Sequence, residues 1–297
     1  MPGHNNWYKI NLNRELDNSK IKFEVEFDVP ATLELDFKLA SDSAAHLISS
    51  NYDNLHLCFS GGLDSEYIAN VLVRNKIEFV PVILIMNNFD PKEYWYARYF
   101  CDQHNLKPVI IDYRERLFDL QKLMLQKSVE IHCDCNVAFA HHVIAHHLPD
   151  ASLLTGAGHP LKGPAPNYDE PHGEELVVDE YDFYLDISYN SRHPGGFFNF
   201  TPDIFFSFIK NIDLSVNAQI SKSKLYNIPF RPKLDLRFKE YLPDIDAIQK
   251  IANKFVKPLD MRQVYINRQT LLNKHLTTAA CPASSRYTNS AAYATMT

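Results

Sequence analysis

The sharpest alternation of apolar and polar positions lies between residues 21 and 39. Ile21, Phe23, Val25, Phe27 and Val29 alternate with Lys22, Glu24, Glu26 and Asp28. After Pro30-Ala31, Leu33, Leu35, Phe37 and Leu39 alternate with Glu34, Asp36 and Lys38. Period two with one apolar side predicts antiparallel strands within residues 7–39, paired as a hairpin with its greasy face on a core. A short helix around Ser43 to Ser49 then leads into the next apolar run. Residues 1–50 thus read as a β-rich, structural appendage.

From residue 51 the pattern changes to strands alternating with helices. Leu55 to Phe59 is apolar, and Glu66 to Val73 has helical spacing. Phe79 to Met86 is nearly continuous in apolar residues, as a strand buried on both faces requires. Asp90-Pro91 caps and starts a helix over Lys92 to His104. Lys107 to Asp112 and Ala151 to Thr155 read as further strands, with helices over Arg116 to Lys127 and Val129 to His147 between them. The order β-α-β-α-β-α-α-β with short links predicts an α/β fold, a doubly wound parallel sheet, over residues 51–200. Ligands of such sheets sit beyond the carboxyl ends of the strands, so the loops after Phe59, Met86, Asp112 and Thr155 should ring one crevice.

Residues 157–175 carry four prolines and three glycines and read as an active-site lid or a plain surface loop. The aromatic runs Phe197-Phe198-Asn199-Phe200 and Phe205-Phe206-Ser207-Phe208 flank Thr201-Pro202-Asp203, a helix start. They suit core packing or a platform for stacking a base. Residues 201–276 read as a mainly helical C-terminal part, and residues 277–297 as a poorly packed tail.

The candidate chemistry is concentrated in Ser60-Gly61-Gly62-Leu63-Asp64-Ser65. A turn between a strand and a helix presents free backbone N–H groups to an anion. The two glycines let the main chain approach phosphate oxygens. Ser60 and Ser65 add hydroxyls, and the helix terminus adds roughly half a positive charge. Asp64 would repel bound phosphates unless a cation lay between them. Mg²⁺ suits that place, since it is held by one or two carboxylates plus phosphate oxygens. No G-x-x-x-x-G-K-[ST] motif occurs, so this is not a Walker A loop.

Ser60 to Ser65 matches the SGGxDS signature of the PP-loop ATP pyrophosphatases, which the chain resembles over roughly residues 52 to 160. The closest likeness is to the synthetase domain of asparagine synthetase. The resemblance implies an adenine nucleotide alpha hydrolase-like sheet and an ATP-dependent, AMP-forming ligase. Such an enzyme adenylates a carboxylate or carbonyl oxygen, releases pyrophosphate and transfers the group to an amine or ammonia. Ser60, Gly61, Gly62, Leu63, Asp64 and Ser65 would bind ATP with Gly156, Asp64 would hold Mg²⁺, and the backbone at Ile85-Met86 would meet adenine. Lys222, Lys224, Arg231, Lys233 and Arg237 cluster in the C-terminal part, where such enzymes place a basic residue against the phosphates. Lys224 and Arg231 are the candidates for catalysis beside Asp64, and a solvated helix face is the plainer reading of the cluster. Where the resembling enzymes carry acids after a glycine turn, this chain reads Gly156-Ala157-Gly158-His159-Pro160, with Asp169 or Glu170 as a substitute from the following loop. The alternatives are a PP-loop enzyme that modifies tRNA or nucleobases, and a PP-loop protein that binds nucleotide without turnover.

Composition narrows the partners. The 297 residues are 45% hydrophobic and 22% charged with a net charge of −6, and the basic residues form no dense block. Nucleic acid is therefore not indicated. No apolar run reaches the roughly 20 residues a membrane helix needs. Five cysteines, an odd number, suit free thiols in a reducing compartment, and a cytoplasmic enzyme is expected. Pro2 follows Met1 where glutamine-hydrolysing relatives have a cysteine nucleophile, so no built-in glutaminase domain is expected. Nitrogen would come from free ammonia, an amine or a separate partner. Homo-oligomer formation stays open, and the acceptor of the transferred group is an unidentified small molecule. His132, Cys133, Cys135, His141, His142, His146 and His147 form a further cluster. Its spacing matches neither H-E-x-x-H nor C-x-x-C, although His142 and His146 lie one helical turn apart. Cys133 or Cys135 as a sulfur carrier is a further option.

Overall fold

The computed structural model describes residues 7–13, 22–28, 30, 32–85, 91–113, 116, 119–120, 122–123, 126, 136–159, 175–179, 185, 189, 192–213, 215–216, 218–229, 263–267 and 284–287. Tyr8–Asn13 (β1) and Lys22–Asp28 (β2) pair antiparallel, with Tyr8 opposite Phe27 and Asn13 opposite Lys22. The hairpin thus forms between residues 8 and 28, ahead of the second alternating run.

That second run is not a strand. Phe37–Asn51 is a helix, α1, considerably longer than the expected turn or two at Ser43–Ser49. Asp36 caps it: its Oδ1 accepts the Leu39 N–H at 2.9 Å. Phe37, Ala40, Ser41, Ala44, Ala45 and Ile48 are buried at spacings of three and four, the stripe of an amphipathic helix. Leu39, inward-facing in the alternating reading, is 53% exposed.

Leu55–Cys58 (β3) leads into α2 (Leu63–Arg74), followed by β4 (Val80–Ile85), α3 (Pro91–Gln103) and β5 (Val109–Asp112). Next come α4 (Asn136–His147), β6 (Ser152–Thr155), β7 (Glu175–Asp179) and β8 (Gly195–Gly196). Pro202–Asn211 is α5, Ala218–Tyr226 is α6, and Gln263–Asn267 (β9) and Ser284–Tyr287 (β10) complete the described elements. Five parallel strands lie in the order β5-β4-β3-β6-β8. The chain therefore winds outward from β3 through β4 to β5, then crosses back to β6 and β8. The reversal falls between β3 and β6, which is where open α/β sheets bind ligands.

Neighbouring residues on these strands go to opposite faces, as a pleated strand demands. Leu57, Ile83 and Leu154 join one core with residues of α1, α2, α3 and α5. Cys58, Val82 and Leu153 join another with Val143, Ile144 and Ala145 of α4. Helices therefore cover both faces, and the molecule is α/β with a five-stranded parallel sheet and an antiparallel hairpin. The hairpin is docked: the Trp7 ring lies 5.2 Å from both Phe27 and Phe205, and its Nε1–H donates to the Asn199 carbonyl at 3.1 Å.

Three further points differ from the sequence reading. The two-residue strand β8 has no apolar signature. In the part read as mainly helical, β9 pairs antiparallel with β7. Within the expected tail, β10 pairs with the edge of β2 that β1 leaves open. Phe197, Phe198, Phe200, Phe205, Phe206 and Phe208 are fully buried, which makes them core and removes them as a base-stacking platform. Among the described residues no helix is long and apolar enough to cross a membrane.

Candidate functional site

The turn from Ser60 to Ser65 joins the carboxyl end of β3 to α2, at the switch point of the sheet. Gly61 has a φ of 85°, a conformation that a side chain would strain. The serines hold the turn itself. Ser65 Oγ accepts the Gly61 N–H at 3.2 Å and donates to the Gly62 carbonyl at 3.1 Å. Ser60 Oγ accepts the Gly62 N–H at 3.1 Å and lies 3.1 Å from Ser65 Oγ. What remains for an anion is the helix terminus. The first N–H groups of a helix have no intrahelical acceptor. Gly62 occupies the cap and supplies no side-chain bond to them. Leu63 is partly buried against the core and has a packing role.

Asp64, in the first turn of α2, is the centre of a small network. Its Oδ2 accepts from Lys222 Nζ at 2.8 Å and its Oδ1 accepts from the Tyr226 hydroxyl at 2.7 Å. Lys222 Nζ also donates to His159 Nε2. His159 Nε2 stands 3.7 Å from Asp64 Oδ2. The Lys222 side chain is only 8% exposed. An ammonium has three donors; two are used here, and the third has no partner among the described residues. Burial pushes the Asp64 carboxyl upward, but the adjacent Lys222 charge, then the nearby His159 ring, and the Lys222 and Tyr226 hydrogen bonds outweigh it, so Asp64 is held below the ordinary carboxylate range. Burial, and then the Asp64 charge, raise the Tyr226 hydroxyl well above its usual value, so it is a hydrogen-bond donor here.

An aromatic stack sets this geometry. Phe37 lies on Tyr67, Tyr67 on Tyr226 at 4.4 Å, and Phe198 on the same ring at 5.8 Å. The stack fixes α6 against α2, and Lys222 lies one helical turn from Tyr226 on the same side. His159 is placed by the turn after β6. Gly158 has a φ of +95°, and a Cβ there would stand 2.5 Å from the Asn199 side chain. The ring then meets Phe198 and Phe208 edge to face, at 5.2 and 5.6 Å.

The expected residues fare unequally. Ser60 to Ser65 and Gly156 come together, since Gly156 packs against Asp64. Ile85 ends β4, partly buried, and its carbonyl accepts the Tyr113 N–H at 3.0 Å, so this carbonyl is committed to the sheet. Lys224 does not join the site. Its side chain is 62% exposed and lies 3.8 Å from Asp213. Two residues from Lys222 on a helix, it points the other way. Among the described residues, Lys222 is the basic residue that reaches the turn. Arg231, Met86, Asp169, Glu170, His132, Cys133 and Cys135 lie outside the described residues. His142 is buried with Nδ1 3.1 Å from the Tyr189 hydroxyl, whereas His146 is exposed, so the two do not converge.

A protein-held magnesium ion is a poor fit to these side chains. Asp64 is the single carboxylate of the network, and its two oxygens accept from Lys222 and Tyr226. Among the described residues no three His, Cys, Asp or Glu side chains are grouped to hold a metal. The cation beside Asp64 is the Lys222 ammonium. No protein-family model matches the chain, and no curated protein matches it.

Proposed function

We propose that the chain is an ATP-dependent, AMP-forming ligase with an adenine nucleotide alpha hydrolase-like fold, of the PP-loop ATP pyrophosphatase type. One observation carries this reading: a buried lysine from the C-terminal part meets the carboxylate of the glycine turn at the switch point of the sheet. The ligand is an anion, for which the open terminus of α2 and the spare N–H of Lys222 are suited. In the proposed reaction a carboxylate or carbonyl oxygen of the acceptor attacks the α-phosphorus. The new O–P bond forms as the bond to the β-phosphate oxygen breaks, and pyrophosphate leaves with the electron pair. Lys222 and the helix terminus offset the growing negative charge on pyrophosphate. An amine or ammonia then attacks the activated carbon, AMP departs and a proton passes to water.

Two measurements test this reading. ATP binding is measured by calorimetry, and exchange of labelled pyrophosphate into ATP is measured with magnesium and a panel of carboxylic acids. Binding with exchange in the presence of one acid is expected, and Asp64→Asn should abolish the exchange. Binding without exchange for any acid would move the chain to the nucleotide-binding reading without turnover. Absence of ATP binding overturns both.

A further inference from the structure

His159, at the turn after β6, brings an imidazole nitrogen to the Lys222 ammonium. It follows Gly158, whose positive φ and contact with Asn199 permit only glycine. Its ring packs edge to face against both Phe198 and Phe208, and its side chain is 13% exposed. Lys222 is an obligate donor as an ammonium, so the nitrogen facing it, Nε2, must be the bare one. A bare Nε2 requires a neutral ring with its proton on Nδ1, the tautomer on which this contact depends.

We propose that His159 is a positioning residue for Lys222, holding its ammonium through a neutral ring nitrogen. This rests on the ligase reading above. With Asp64 as its one anionic partner among the described residues, Lys222 forms a pair of zero net charge. A second carboxylate on the same ammonium would leave the site negative before any phosphate arrived. The neutral Nε2 satisfies a second N–H without adding charge. It fixes the direction of the side chain and leaves the third N–H for a phosphate oxygen. Tyr226, from the same face of α6, holds Asp64 Oδ1 so that Oδ2 stays turned to Lys222. An incoming phosphate oxygen can then meet the third N–H while Asp64 and His159 hold the other two.

The test uses the full chain with ¹⁵N-labelled histidine. In the unliganded protein the His159 nitrogen signals should show Nδ1 protonated and Nε2 bare, and titration with inorganic pyrophosphate should shift the Nε2 signal. His159→Leu should keep its fold by circular dichroism and bind pyrophosphate about tenfold more weakly, the loss of one charge-assisted hydrogen bond. His159→Gln, which restores an acceptor, should regain most of that affinity. In the exchange assay the leucine variant should show a lower kcat along with a higher KM for ATP. Wild-type affinity in the leucine variant, or a wild-type ring protonated on Nε2, overturns the proposal. If the leucine variant fails to fold, the glutamine variant and the wild-type nitrogen signals still decide. A wild-type protein that binds neither ATP nor pyrophosphate would sink the ligase reading instead, while the tautomer of His159 would still report on the contact with Lys222.

Discussion

Gly156 lies against Asp64: a Cβ built on the glycine would stand 3.3 Å from the Asp64 Cβ and 3.5 Å from the Ser65 nitrogen. The end of β6 thus presses on the first turn of α2. Gly156→Ala should push that turn by a few tenths of an ångström. The expected result is a stability loss of about 1 kcal/mol, with a larger, roughly tenfold loss of ATP affinity. Calorimetry beside urea unfolding separates the two effects, and an alanine variant with unchanged affinity would detach Gly156 from the site.

Lys222 and Lys224 give a paired contrast. Lys222→Met leaves the Asp64 carboxylate without its ammonium and should cost about 2–3 kcal/mol in urea unfolding, together with the exchange activity. Lys224→Met removes an exposed charge with one weak partner 3.8 Å away. It should stay within about 0.5 kcal/mol of wild type and keep its activity. Equal effects of the two substitutions would contradict the placement of Lys222.

His193 predicts a pH dependence of stability. It is buried, its Nδ1 accepts the Leu153 N–H at 3.2 Å, and burial together with Arg192 lowers it from about 6.5 to about 4. Between those values the unfolded chain binds a proton that the folded chain refuses. The stability that His193 contributes is therefore fully present above pH about 6.5 and declines as pH falls towards 4, by about 3 kcal/mol at most. Urea unfolding of wild type and His193→Leu at pH 7.5, 5.5 and 4.5 checks this. The variant should lose that part of the slope, and identical slopes would remove His193 as the cause.

Asp36→Ala tests the start of α1. Loss of the acceptor for the Leu39 N–H should cost about 1 kcal/mol. A strand through residues 33–39 would have no such cap, so an unchanged midpoint in thermal unfolding would argue against the helix boundary.

The sheet was legible in the sequence where burial on both faces left nearly continuous apolar runs, as in Val80–Ile85, and where glycines marked a turn between periods. Residues 33–39 misled for a physical reason. Leu33, Leu35, Phe37 and Leu39 extend a period of two into a helix whose buried stripe is mostly Ala and Ser, residues with little hydropathic signal. The two-residue β8 has no pattern at all. At the site, the glycine turn is a local motif and could be read. Its partners could not: Lys222 meets Asp64 across 158 positions of sequence. The one available clue was that Lys222 and Tyr226 are four apart, on a single helix face, whereas Lys224 falls opposite.

The position of β3 between β4 and β6 has a consequence for synthesis of the chain. As the polypeptide leaves the ribosome, one edge of Leu55–Cys58 meets its neighbour soon after translation. The other must wait for Ser152–Thr155 to emerge, and during that interval an apolar strand carries unpaired backbone groups. Translation paused between these segments should yield a nascent species prone to chaperone capture and self-association.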